Sequence, residues 1–162
     1  MRNGTQSSTI GKMIFSIAII ISSTQVATAK PNINDMQGCQ GIIDFVDGKL
    51  NPAPAKYNAA DVKKIRHGLK IYNDFIQRTI VTPGLLQFNK GNAAKANAMQ
   101  KQVNAYKAQV VRSYKKRYPQ PRLFGDFAIS LNNCAKQAVP KGANLSALKT
   151  ALQTIIKLGK QG

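Results

Sequence analysis

NAAKANAMQKQVNAYKAQVVRSYKKRYPQPR, residues 92–122, places Ala96, Met99, Val103, Tyr106, Val110 and Tyr114 at intervals of three and four. That spacing belongs to a helix packed along one face against other helices. Pro119 and Pro121 follow the last apolar position, and proline lacks the N–H that a continuing helix needs. The spacing therefore predicts a long helix from about Asn92 to Tyr118, with Lys101, Arg112 and Lys115 opposite the apolar seam.

Working outward, four further segments show the same period. Met36, Cys39, Ile43, Val46 and Leu50 predict a helix from about Asn34 to Asp47, capped by Asn34 or Asp35. Val62, Ile65, Leu69, Tyr72, Ile76 and Ile80 form a second stripe behind Asn58 as cap, with Asp61 completing a short-armed capping box. Thr82-Pro83-Gly84 is expected to end that helix, and Pro83 to open a short one through Leu85, Leu86 and Phe88. Phe124, Phe127, Leu131 and Cys134 predict a helix over about Leu123 to Ala138. Leu145, Leu148, Leu152, Ile155 and Leu158 predict a last one from Asn144, its cap, to a stop at Gly159. Between the first two stripes, Asn51-Pro-Ala-Pro-Ala55 reads as an extended connector. No run alternates with period two, so the expected fold is all-α, a compact bundle of four to five helices.

Residues 1–29 read as a signal peptide to be cleaved: Arg2 and Lys12, then the apolar run Met13–Ile21, then Ala27-Thr-Ala29. The run is shorter than the roughly 20 residues a spanning helix needs. An uncleaved anchor is the alternative reading. Residues 30–162 then form a single basic helical domain without a transmembrane segment, located in the periplasm or secreted. In an oxidising compartment its two cysteines, Cys39 and Cys134, are expected to form one disulfide that ties the first helix to the fourth.

The chain carries 24 Lys and Arg against 6 acids, a net charge of +18, and every acid is Asp. With so few local partners, the field favours association with polyanions. Two cationic clusters stand out. Arg112, Lys115, Lys116, Arg117 and Arg122 crowd one helix end beside Tyr114 and Tyr118; complementing the helix dipole accounts for some of them but not for Arg112 or Arg122. Lys63, Arg66 and Lys70, with Lys64 and His67, lie near a helix start, where positive charge opposes the dipole. If the second and third helices are antiparallel neighbours, the two clusters merge into one basic surface. Arginine forks suit phosphate oxygens. These eight residues, Lys63, Arg66, Lys70, Arg112, Lys115, Lys116, Arg117 and Arg122, are the candidate anion-binding set.

Catalysis is not expected. There is no Glu, no nucleophile motif and no phosphate-cradling glycine loop, and Asp44 with Asp47 reads as polar-face residues rather than a carboxylate pair. Neither a metal nor a cofactor is expected: His67 is the only histidine, zinc lacks ligands and the haem-attachment motif C-x-x-C-H is absent. The expected function is an exported, non-enzymatic binding protein for phosphate-rich ligands such as phosphoinositide or lipopolysaccharide headgroups. Nucleic acid ranks lower, because the few tyrosines sit on seams and offer no stacking platform. The alternatives are a periplasmic chaperone or inhibitor that binds an acidic protein, and an envelope structural protein with no discrete site.

Overall fold

A computed structural model describes residues 31–51 and 57–161. The expected leader at 1–29 and most of the proline connector lie outside the described residues. Helices α1 (Ile33–Lys49), α2 (Ala59–Ile76), α3 (Thr82–Phe88), α4 (Ala93–Arg117), α5 (Gly125–Gln137) and α6 (Gly142–Gly159) make up the fold. No strand occurs among the described residues.

The helices begin where polar caps permit, though not always at the expected residue. Asn32 Oδ1, rather than Asn34 or Asp35, accepts from the Asn34 N–H at 2.9 Å and opens α1 one residue early. Asn58 caps α2 as read, accepting from Ala60 N–H, and Asn92, read only as the approximate start of its helix, caps α4 by accepting from Lys95 N–H. Asp61 does not close a capping box; it is drawn instead to Lys157 and Lys64. Asn144 is inside α6, which starts at Gly142, where φ of +56° suits a residue without a Cβ.

Pro83 does not break the second helix as expected. A π-helical turn, Gln77–Val81, joins α2 to α3, and Gln77 and Thr82 both keep right-handed helical backbone. A widened turn accommodates the N–H that proline lacks and the space its ring requires, so the chain stays helical from Ala59 to Phe88. Counted as one run, this leaves a five-membered bundle.

α1 is the central helix. Its glycines permit this: a Cβ at Gly41 would lie 2.9 Å from Val110 Cβ and 3.1 Å from the Lys107 carbonyl oxygen, so only glycine lets α4 approach so closely. The same face carries Asp44, paired with Lys107 at 2.9 Å, and Phe45, whose ring centroid lies 5.3 Å from that of Tyr114. These pairs advance together along both chains, so α1 and α4 run parallel. α2 lies on another side of α1 and runs antiparallel to it, with Arg66 at Asp47 and Gln40 at Asn73 and Gln77. The Cys39–Cys134 disulfide, 95 residues apart in sequence, joins α1 to α5. α6 closes the bundle against α2 and α5, and Gly68 of α2 faces the Ala147 backbone and the Ala151 side chain.

All five apolar positions read for α1 are buried, as are Val62, Ile65, Leu69, Tyr72 and Ile76 of α2. Gln37, Gln40 and Phe45 are buried too, which the single stripe did not anticipate. No described helix is long and apolar enough to cross a membrane.

Candidate functional site at the carboxyl ends of the first and fourth helices

The two basic clusters lie toward the same end of the bundle but do not form one surface through contact of their helices. α2 is antiparallel to α4 in direction, yet α1 packs against both, and α2 and α4 are not packed along each other. The merged surface expected from direct neighbours is therefore corrected: the carboxyl end of α1 stands between the clusters.

That end takes up part of the α2 cluster. Arg66 donates from Nε to Asp47 Oδ1 and from Nη2 to the Leu50 carbonyl and to Asn51 Oδ1. It thereby satisfies groups at a helix terminus that would otherwise lack partners. Lys70 lies 2.7 Å from Asp74 Oδ2, one turn further along its own helix. Lys64 is 3.6 Å from Asp61. Lys63 and His67 are exposed. Asp44 and Asp47, weighed as a carboxylate pair, serve different helices: Asp44 meets Lys107 of α4 and Asp47 meets Arg66 of α2.

The α4 cluster is differently disposed. Arg112, Lys115, Lys116 and Arg117 are all exposed on the last turns of α4. The Arg117 guanidinium lies 5.4 Å from the Tyr118 ring centroid, and Arg122 stacks 4.3 Å over Phe124. Beneath them, Tyr118, Phe124, Phe127 and Phe45 form a continuous aromatic floor, with Phe127 edge-on to Phe45 and to Tyr118 at 5.2 and 5.0 Å. No acid lies between Asp74 and Asp126 in the sequence, so α4 carries none at all.

Sequence reasoning missed Lys49. It ends α1 and donates from Nζ to the carbonyls of Tyr118 and Gln120, at 2.5 and 2.7 Å, fastening the turn after α4. The charge also lies 5.2 Å from the Phe45 ring centroid. Its lone position after Gly48 gave no sign of this, because the partners are backbone atoms about seventy positions away. Burial, and secondly the charge of Lys115, hold its ammonium below the ordinary lysine range. Lys49 and Lys115 line a cavity of about 400 Å³ with Phe45, Gly48, Asn51, Pro119 and Pro121. Asn51, which accepts from Arg66, lines the same cavity as Lys115 and so links the two clusters.

Chemically, this is a small recess lined by one phenylalanine and two prolines, with two ammonium groups in its wall. No group of three or more metal-ligating side chains occurs among the described residues. Comparison of the chain with protein-family models, with curated proteins and with solved structures found no match.

Proposed function

We propose that the chain is an exported binding protein that takes phosphate-rich headgroups, of the phosphoinositide or lipopolysaccharide kind, at the carboxyl end of α4. The reading rests on one observation: Lys49 of α1 and Lys115 of α4 line a single cavity at the end of α4, a helix without any acid. Two ammonium groups close enough for one to depress the other gain from an anion between them. The apolar floor suits the glycerol or sugar that carries a phosphate, and the arginines add bidentate donors. Export is supported by the leader-like residues 1–29 and by the disulfide, which accords with an oxidising compartment.

Cosedimentation of the protein with vesicles bearing neutral, singly anionic and multiply phosphorylated headgroups tests this, with lipopolysaccharide and a nucleic-acid duplex alongside. Replacement of Arg112, Lys115, Lys116 and Arg117 by Ala is expected to remove headgroup selectivity and most binding. Binding that follows charge density alone, vanishes in salt and ignores the four substitutions excludes the site. An acidic protein partner then becomes the better reading.

A further inference from the structure

The opposite end of α4 carries a feature of different chemistry. Phe88, the last residue of α3, is 71% exposed, more than any other large apolar side chain exposed among the described residues. It stands between two hollows. One, of about 390 Å³, is lined by Ile33, Ile80, Pro83 and Phe88 among others; the other, of about 420 Å³, by Ile33, Leu85, Met99, Val103 and Tyr106. Phe88 is thus a ridge on an apolar face, at the point where the chain turns sharply through Lys90 (φ +53°) and Gly91 (φ +81°) into α4.

The cations around this turn are placed against local preference. Lys95 is in the first turn of α4, where the helix dipole disfavours positive charge and where no acid is present. Lys90 holds a left-handed backbone that an ordinary side chain rarely adopts. Both are exposed, as is Arg78 in the π-helical turn before α3.

We propose that this hairpin tip is a wedge for an anionic phospholipid bilayer, with Phe88 entering the boundary between headgroups and acyl chains and Arg78, Lys90 and Lys95 meeting the phosphates. An apolar ridge with flanking lysines and arginines matches the chemistry of that boundary. Charge complementarity selects the occupant. A second copy of the chain would bring the same cations face to face, whereas an anionic surface neutralises them. A protruding ring on a turn also suits a deformable partner. The ridge lies beside Ile33 at the start of α1 and the headgroup cavity beside Lys49 at its end, roughly 24 Å apart at the rise of a helix. It does not depend on that cavity.

The chain has no tryptophan, so Phe88→Trp gives a single local reporter. In the full chain its emission is expected to shift to the blue on vesicles of phosphatidylglycerol and phosphatidylcholine. It is also expected to be quenched by lipids brominated near the glycerol, with neither effect on phosphatidylcholine alone. Adding Gln at Arg78, Lys90 and Lys95 is expected to weaken partitioning by on the order of tenfold or more, each cation near the surface contributing severalfold. The same reporter with Arg112, Lys115, Lys116 and Arg117 changed to Ala is expected to keep its blue shift at saturating lipid, whatever the fate of headgroup selectivity. Vesicle binding without a blue shift overturns the wedge while leaving the cavity intact. A shift that is equal on neutral vesicles, or unaffected by the three Gln substitutions, overturns it as well. Circular dichroism melts of each variant confirm that the fold is retained.

Discussion

Arg66 reaches from α2 to the last turns of α1, with its Nε 3.2 Å from Asp47 Oδ1. The same guanidinium takes the Leu50 carbonyl at 3.1 Å. A residue that the sequence offers as an anion ligand thus completes a helix terminus.

Arg66→Ala is therefore expected to lower stability by about 1–2 kcal/mol, mostly through the lost carbonyl bond, because the ion pair is half-exposed and worth little. Arg66→Lys should recover only part of this, since an ammonium cannot fork across three acceptors. Urea denaturation measures the loss. Headgroup binding at α4 is expected to weaken by no more than severalfold, because Arg66 reaches the cavity only through its bond to Asn51. A collapse of binding with unchanged stability would return Arg66 to the site.

Glycine substitutions should diverge in sign. A Cβ at Gly68 would lie 2.4 Å from the Ala147 carbonyl oxygen and 2.6 Å from Ala151 Cβ, and a backbone oxygen yields little. Gly68→Ala is expected to cost about 1–3 kcal/mol by forcing α2 from α6. Gly48 has open space around its missing side chain, near the end of α1. Gly48→Ala is expected to stabilise by about 0.5–1 kcal/mol through helix propensity. Paired thermal melts show whether the two changes move in opposite directions.

The disulfide closes a long loop between the central helix and α5. On chain-entropy grounds, replacing both Cys39 and Cys134 by Ala is expected to remove about 4–5 kcal/mol. Denaturation of that variant, and of wild type with and without reductant, measures the change. A loss below about 1 kcal/mol would mean that the α1–α5 contact, including Phe45 against Phe127, holds the unbridged chain almost as well.

The pH profile should have two identifiable limbs. Lys157, whose Nζ lies 2.7 Å from Asp61 Oδ2, holds the Asp61 carboxyl below its ordinary range, and Lys64 adds to this against the opposing effect of burial. Its folded value is below its unfolded one, so its contribution is full above about pH 4 and fades as pH falls through the folded value. Asp61→Asn is expected to flatten that acid limb. Burial pushes the Tyr72 hydroxyl up, and it donates to the Ala138 carbonyl at 3.2 Å. Its folded value exceeds the unfolded one, so stability is expected to fall as pH rises beyond about 10. Tyr72→Phe should soften this alkaline limb. Melting temperatures across pH for the three proteins check both signs.

By itself, the sequence determined what depends on neighbours three and four positions away. The stripes through Ile65, Leu69 and Tyr72 and through Leu148, Ile155 and Leu158 are buried, because a helix turns a local period into a continuous face. The Asn58 cap was legible for the same reason, since its side chain bonds a backbone N–H two residues on. Two cysteines left one pairing. Which helix stands at the centre was decided only by tertiary packing. α1 is weakened as a helix by Gly38, Gly41 and Gly48, and its sequence alone says only that it needs support from other helices. In three dimensions, Gly41 is what lets α4 approach, so its weakness as an isolated helix is what fits it for the centre. That placement separates α2 from α4, draws Arg66 onto the α1 terminus and brings Lys49 beside Lys115. Charge clusters along a chain show only which cations are near one another in sequence; which of them the fold engages is set by carbonyls and carboxylates that arrive from other helices.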